Sequence, residues 1–164
     1  MNTPPGVRFV RVPLTHPDAE VLIEEVQQEY VVRYGSRDET PVDPDEFEPP
    51  RGVFFVGYLG DDPVTTGAWR RRRDVAAYGT DDAAEVKRMY VTPRARGLGL
   101  ARAMLRQLED TAREAGAAVM ILESGTQQPE AMALYESSGY TLIPGFAYYK
   151  DSPLNRCYAR PLQP

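Results

Sequence analysis

The sequence predicts a mixed α/β (α+β) fold: one sheet with helices on both faces. Three observations lead there. Residues 52–59 (GVFFVGYL) and 64–69 are β-forming runs joined by Gly60-Asp61-Asp62-Pro63, the composition of an antiparallel hairpin. Residues 84–91 (AEVKRMYV) alternate as a strand and lead through a glycine-containing loop into an amphipathic helix. Residues 118–123 (AVMILE) are apolar at successive positions, as in a strand buried on both faces. Strands that first meander and then alternate with helices place helices on both sides of a mixed sheet.

In chain order, residues 7–12 alternate apolar side chains with arginine and read as a first strand, broken by His16-Pro17-Asp18. From Pro17 to Tyr34, Leu22, Val26, Tyr30 and Val31 recur at helical spacing, and Gly35 is placed to end that helix. Residues 36–50 form a loop with one short helical turn at residues 44–47. This proline- and acid-rich loop reads as solvated surface, or else as an acidic rim that attracts a cationic acceptor. Arg70 to Arg73 read as a charged hairpin end. Residues 100–116 place Leu100, Ala101, Met104, Leu105, Leu108, Ala112 and Ala115 on one helical face, with charges opposite and Gly116 as the C′ residue. Pro129 opens a further helix with Ala131, Leu134, Tyr135 and Ser138 on one face, and Gly139 stops it. Residues 140–143 and 155–160 read as closing strands.

A chain of 164 residues can bury a proper core without staples, so one domain is expected. A net charge of −5 argues against a general nucleic-acid binder. The lone cysteine, Cys157, excludes an internal disulfide, fits a reducing compartment and reads as a small core residue. With His16 as the one histidine, a Cys/His zinc cluster is excluded, and no metal is expected. No apolar run approaches a membrane span, and the start, MNTPPGVRF, lacks the apolar core of a signal peptide. The expectation is a cytoplasmic protein.

The chemistry concentrates at Arg94-Ala95-Arg96-Gly97-Leu98-Gly99. Two glycines let the backbone turn tightly beside a ligand, and the helix that follows offers unpaired N–H groups at the positive end of its dipole. Such a corner is an anion site with phosphate as its commonest guest, and Arg94 and Arg96 add charged donors.

These residues resemble the GNAT superfamily of acetyl-CoA-dependent N-acetyltransferases. Arg94, Gly97 and Gly99 match that family's pyrophosphate loop, Gln/Arg-x-x-Gly-x-Gly/Ala, between a strand and a helix. Ala131, Leu134, Tyr135, Gly139 and Tyr140 match its second signature, Asn-x-x-Ala-x-x-Leu-Tyr-x-x-x-Gly-Phe/Tyr, with Gln128 where Asn is usual. The resemblance implies a mostly antiparallel sheet of six to seven strands whose middle strands splay. It implies that acetyl-CoA sits with its pyrophosphate on the backbone from Arg96 through Gly97, Leu98, Gly99 and Leu100 to Ala101. Its pantetheine arm would lie against the strand at Met89, Tyr90 and Val91, near Gln128, and one backbone N–H there would polarise the thioester carbonyl. The acceptor would be a small-molecule amine, and a dimer is common in that family.

Glu85 occupies the position where several members carry a general base, and strict alternation puts it on one face with Lys87, Met89 and Val91. A structural ion pair with Lys87 or Arg88 is its other reading. Tyr135 matches the tyrosine that protonates the departing thiolate, and a packed helix tyrosine is the alternative. By the family's layout, Tyr148, Tyr149 and Asn155 would shape the acceptor pocket.

Two readings compete. Gly97-x-Gly99 after a strand, with Glu123 ending the next one, also suits a dinucleotide-binding unit, although Arg102 stands where its third glycine belongs. A domain that binds acetyl-CoA without turning it over is the other.

Overall fold

The structure, a computed structural model, describes residues 6–163; residues 1–5 of the leader reading lie outside them. Seven strands form one sheet in the order β1-β2-β3-β4-β5-β7-β6. They are β1 (Val7–Arg11), β2 (Gly52–Leu59), β3 (Asp62–Arg72), β4 (Ala83–Val91), β5 (Val119–Gly125), β6 (Thr141–Ile143) and β7 (Asn155–Pro161). Every neighbouring pair is antiparallel except β4 with β5. The predicted mixed, mostly antiparallel sheet is therefore what forms. A dinucleotide-binding unit is not, because that fold needs a run of parallel strands and here a three-strand meander precedes a single parallel pair.

Alternation along β2 shows how both faces are covered. Phe54 and Val56 pack with Ala19, Leu22 and Val26 of α1 (Pro17–Tyr34) on one face. Val53 and Phe55 join Met104, Leu105, Leu108 and Ala112 of α2 (Leu100–Glu114) on the other, where Tyr135 of α3 (Pro129–Ser137) also packs. A strand sandwiched this way buries its side chains on both sides, each contributing about 1.5–3 kcal/mol. His16 caps α1, its Nδ1 accepting from the Asp18 N–H at 3.1 Å, and Gly35 closes it with φ +82°. Cys157 is buried, as its strand pattern predicts.

The buried face of α2 is wider than the apolar residues alone define. Ala103, Glu109 and Thr111 are buried on it, whereas Ala115 is exposed and Ala101 half-buried. The reason is polar pairing across the interface. Glu109 accepts from the Tyr140 hydroxyl at 2.7 Å and from Arg160 at 2.9 Å, and Thr111 accepts from the Trp69 indole at 2.9 Å. α2 comes this close because position 67 is glycine: a Cβ there would meet Met104 Cγ at 2.6 Å.

Two strand readings are corrected. β3 continues through Arg72, so Arg70 and Arg72 are strand residues paired with β4 and not a hairpin end. Along β4 the register shifts where Gly67 faces it, and Arg88 takes φ +58°. This bulge breaks the alternation. Met89 packs on the α2 side with Ala84 and Val86, while Tyr90 packs on the α1 side. Glu85 and Lys87 therefore do not share a face with Met89 and Val91. No helix among the described residues is long and apolar enough to cross a membrane.

Candidate active site

β4 and β5 pair only from Ala83↔Val119 to Glu85↔Ile121. Beyond that, β5 continues along β7, with Glu123↔Cys157 and Gly125↔Asn155, while β4 stays with β3. The two strands diverge, and the far edge of β4 is left without a strand partner. A cavity of about 320 Å³ lies in the gap. Its walls take Lys87, Arg88 and Met89 from β4, Glu123 from β5, Tyr135 from α3 and Asn155 from β7. Tyr34 of α1 closes one side, its hydroxyl donating to the Gln128 side chain at 3.2 Å.

The glycine corner lies at the α2 end of β4. A single 3-10 turn (Pro93–Ala95) leads into Gly97 at φ +83° and Gly99 at φ +81°, the N-cap of α2. Both values belong to the left-handed region that glycine enters without strain. The Ala103 N–H bonds to the Gly99 carbonyl at 3.1 Å, so the N–H groups of the preceding residues lie ahead of the helical ladder. Residues 96–99 are exposed, Leu100 is buried beneath them, and a Cβ built on Gly97 meets nothing within 4 Å. The donors exposed at this corner belong to the backbone. The arginines contribute less than expected. Arg94 forks onto Asp62 at 2.7 and 3.2 Å, and Arg96 donates to the Val91 carbonyl at 2.9 Å and pairs with Glu29. Tyr90 and Val91 turn their side chains into core clusters, and their carbonyls already accept from the Thr65 hydroxyl at 2.6 Å and from Arg96 Nε at 2.9 Å.

Tyr135 is 7% exposed, with the rings of Tyr140 and Tyr158 at 5.9 and 6.1 Å. Burial pushes its phenol up to about 12. Gln128 caps α3 by position but bonds Tyr34 with its side chain. Tyr149 and Asn155 line the cavity, whereas Tyr148 is exposed and not part of the wall.

Glu85 is fully buried and is not part of the cavity wall. Its Oε1 accepts from Arg70 Nε and Arg72 Nη1, both at 2.9 Å, so its ion pair is with the β3 arginines and not with Lys87 or Arg88. Glu123, by contrast, does face the gap. Its Oε2 is buried with no hydrogen-bond partner, and burial raises its pKa above the ordinary carboxylate value despite Lys87 nearby. Asp38, from the loop expected at the surface, turns inward to the cavity and accepts from Arg88 Nη1 at 3.1 Å. Burial works against its charge, but Lys87, Thr40 and Arg88 outweigh that and hold its pKa below the usual value. Glu123 had a sequence signal, a lone carboxylate ending an apolar strand. Arg88 had none, because a bulge leaves no mark in alternation.

Residues 20–140 match the acetyltransferase (GNAT) family. The chain belongs to that family. A 78-residue stretch is 41% identical to an IAA acetyltransferase of Azospirillum brasilense, covering 48% of this chain and 51% of that relative. An uncharacterised N-acetyltransferase of Schizosaccharomyces pombe is 26% identical over 159 residues, 94% of this chain and 93% of its own. Among solved structures, a Klebsiella pneumoniae protein provisionally assigned as an acyl-CoA N-acyltransferase superposes with a TM-score of 0.73, at 26% identity over 96% of this chain and 98% of that one. The protein is thus a GNAT acyltransferase, with an acyl-CoA as the cosubstrate class and an acceptor to receive the acyl group.

Proposed function

We propose that the protein transfers an acetyl group from acetyl-CoA to the primary amine of a small molecule by direct attack. Bound in the gap, acetyl-CoA supplies the acyl group as a thioester. The chain's own part begins at the glycine corner, where backbone N–H groups from Gly97 to Ala101 hold the diphosphate, the Arg96 N–H being already bonded to the Pro93 carbonyl at 3.3 Å. The unpaired edge of β4 near Met89 receives the pantetheine arm as an added strand would be received, and an N–H of that edge polarises the carbonyl. Gln128 and Tyr34 wall the same channel.

Glu123 takes the amine proton, in place of Glu85. The single observation that carries this reading is its buried, unpartnered Oε2 on the wall of the cavity that also holds Tyr135. A carboxylate with a raised pKa is a better base near neutrality than an ordinary one. Tyr135, its pKa raised to about 12, keeps its proton at any working pH and shares it with the sulfur as negative charge develops there.

The test is thiol release from acetyl-CoA with a panel of small primary amines. Release with at least one amine, lost in Glu123→Gln, is expected. Tight acetyl-CoA binding with no release for any amine overturns the reading.

A further inference from the structure

Three residues of the cavity wall each carry a buried polar atom with no hydrogen-bond partner: Arg88 (Nε), Glu123 (Oε2) and Asn155 (Oδ1). A buried polar atom without a partner is costly, so these three describe what the cavity is built to receive. One is an N–H on a permanent cation. The other two are acceptors, one of them a carboxylate oxygen.

The Arg88 side chain is 9% exposed and makes one hydrogen bond, from Nη1 to Asp38 Oδ2 at 3.1 Å. Lys87 Nζ leans on the same oxygen at 3.9 Å, while Asp38 Oδ1 accepts from the Thr40 N–H. Two cations thus share one carboxylate, and positive charge is in excess on the β4 wall. Glu123, on the opposite strand, is the other acidic group there. The backbone at Arg88 tells the same story. Its φ of +58° is unfavourable for any residue but glycine, and Thr66 locks it by donating to the Arg88 carbonyl at 2.7 Å. Glycine would sit there without strain, yet the position holds an arginine whose guanidinium reaches the cavity.

We infer that the acceptor is a primary amine that also carries a carboxylate, amino-acid-like in character, with Arg88 receiving the carboxylate and Glu123 and Asn155 facing the amine. This rests on the acetyl-transfer reading above. A guanidinium whose Nε has no partner in the protein can still meet a carboxylate in two-point geometry, which an ammonium cannot do.

The experiment measures kcat/KM for thiol release from acetyl-CoA with the twenty common L-amino acids. The best of them is compared with its decarboxylated amine and its methyl ester, in wild type, Arg88→Gln and Arg88→Lys. The free acid is expected to exceed both relatives by about 10- to 100-fold, mostly through KM, the scale of a lost hydrogen bond to a charged group. Arg88→Gln should bring acid and amine to within about threefold of each other, with Arg88→Lys between, because a point charge keeps attraction but loses the fork. Calorimetry with acetyl-CoA reports that each variant is folded, and if Arg88→Gln fails that check the wild-type ratio decides. Equal or better use of the decarboxylated amine, or a preference for the acid that survives Arg88→Gln, overturns the inference while acetyl transfer to amines stands. No release with acids or amines, though acetyl-CoA binds, sinks both.

Discussion

At the glycine corner the groups offered to a ligand belong to the backbone, and the neighbouring arginines are occupied by Asp62 and Glu29. In the gap between β4 and β5 they belong to side chains, and three of those carry buried atoms with no partner. The corner is exposed and needs only glycine torsions and a helix start, so any chain with that pattern can build it. The gap is assembled from α1, the loop at Asp38, β4, β5, α3 and β7, and no short pattern specifies it. In the proposed reading the corner answers to the cosubstrate and the gap to the acceptor.

Substitutions separate the two regions. The largest effect is expected for Tyr135→Phe, which keeps the packing on Tyr140 and Tyr158 but removes the hydroxyl. Steady-state kinetics should show kcat lower by about 10²- to 10⁴-fold, with acetyl-CoA affinity by calorimetry unchanged. Glu123→Gln should lower kcat/KM by about 10²-fold and change the pH profile. The base works when unprotonated, and burial raises its pKa, so the wild-type rate should climb with pH through a value above the ordinary carboxylate range. The glutamine variant should lack that limb.

Gly67→Val examines the joint between the regions, where α2, starting at the corner, lies over the β4 bulge. Its Cβ would meet Met104 at 2.6 Å and Leu108 at 3.1 Å. The denaturant midpoint should show about 1–3 kcal/mol of lost stability. Gly97→Val has room for its side chain but not the torsion. It should weaken acetyl-CoA binding by about tenfold, the equivalent of about 1–2 kcal/mol of left-handed strain, with the melting transition still cooperative. Arg94→Ala should change that affinity by less than about threefold, since its guanidinium already serves an exposed pair with Asp62. A large loss here would return the corner to the charge-built site that its sequence implies.

The corner was legible because it is local. Strand, Gly97, Gly99 and helix follow one another, and left-handed torsions demand glycine wherever they occur. The burial of Tyr135 beside the cavity was legible because its motif places it on one face of a short helix. Glu85 misled for a physical reason. Its strand and position are as expected, but Arg70 and Arg72 reach it from a β3 that runs further than its apolar stretch. Charged residues at a strand end read as solvated until a partner strand supplies a buried carboxylate.

By itself, the chain's pattern of apolar periods, turn residues and glycines determined the mixed sheet, the helices on its two faces and the glycine corner, because each depends on interactions between near neighbours in sequence. Tertiary structure decided the acceptor side. The bulge that turns Arg88 inward, the divergence that opens Glu123 to a cavity and the inward Asp38 all arise from strands meeting far along the chain. Burial, which makes an unpartnered charge chemically useful, exists only once they have met.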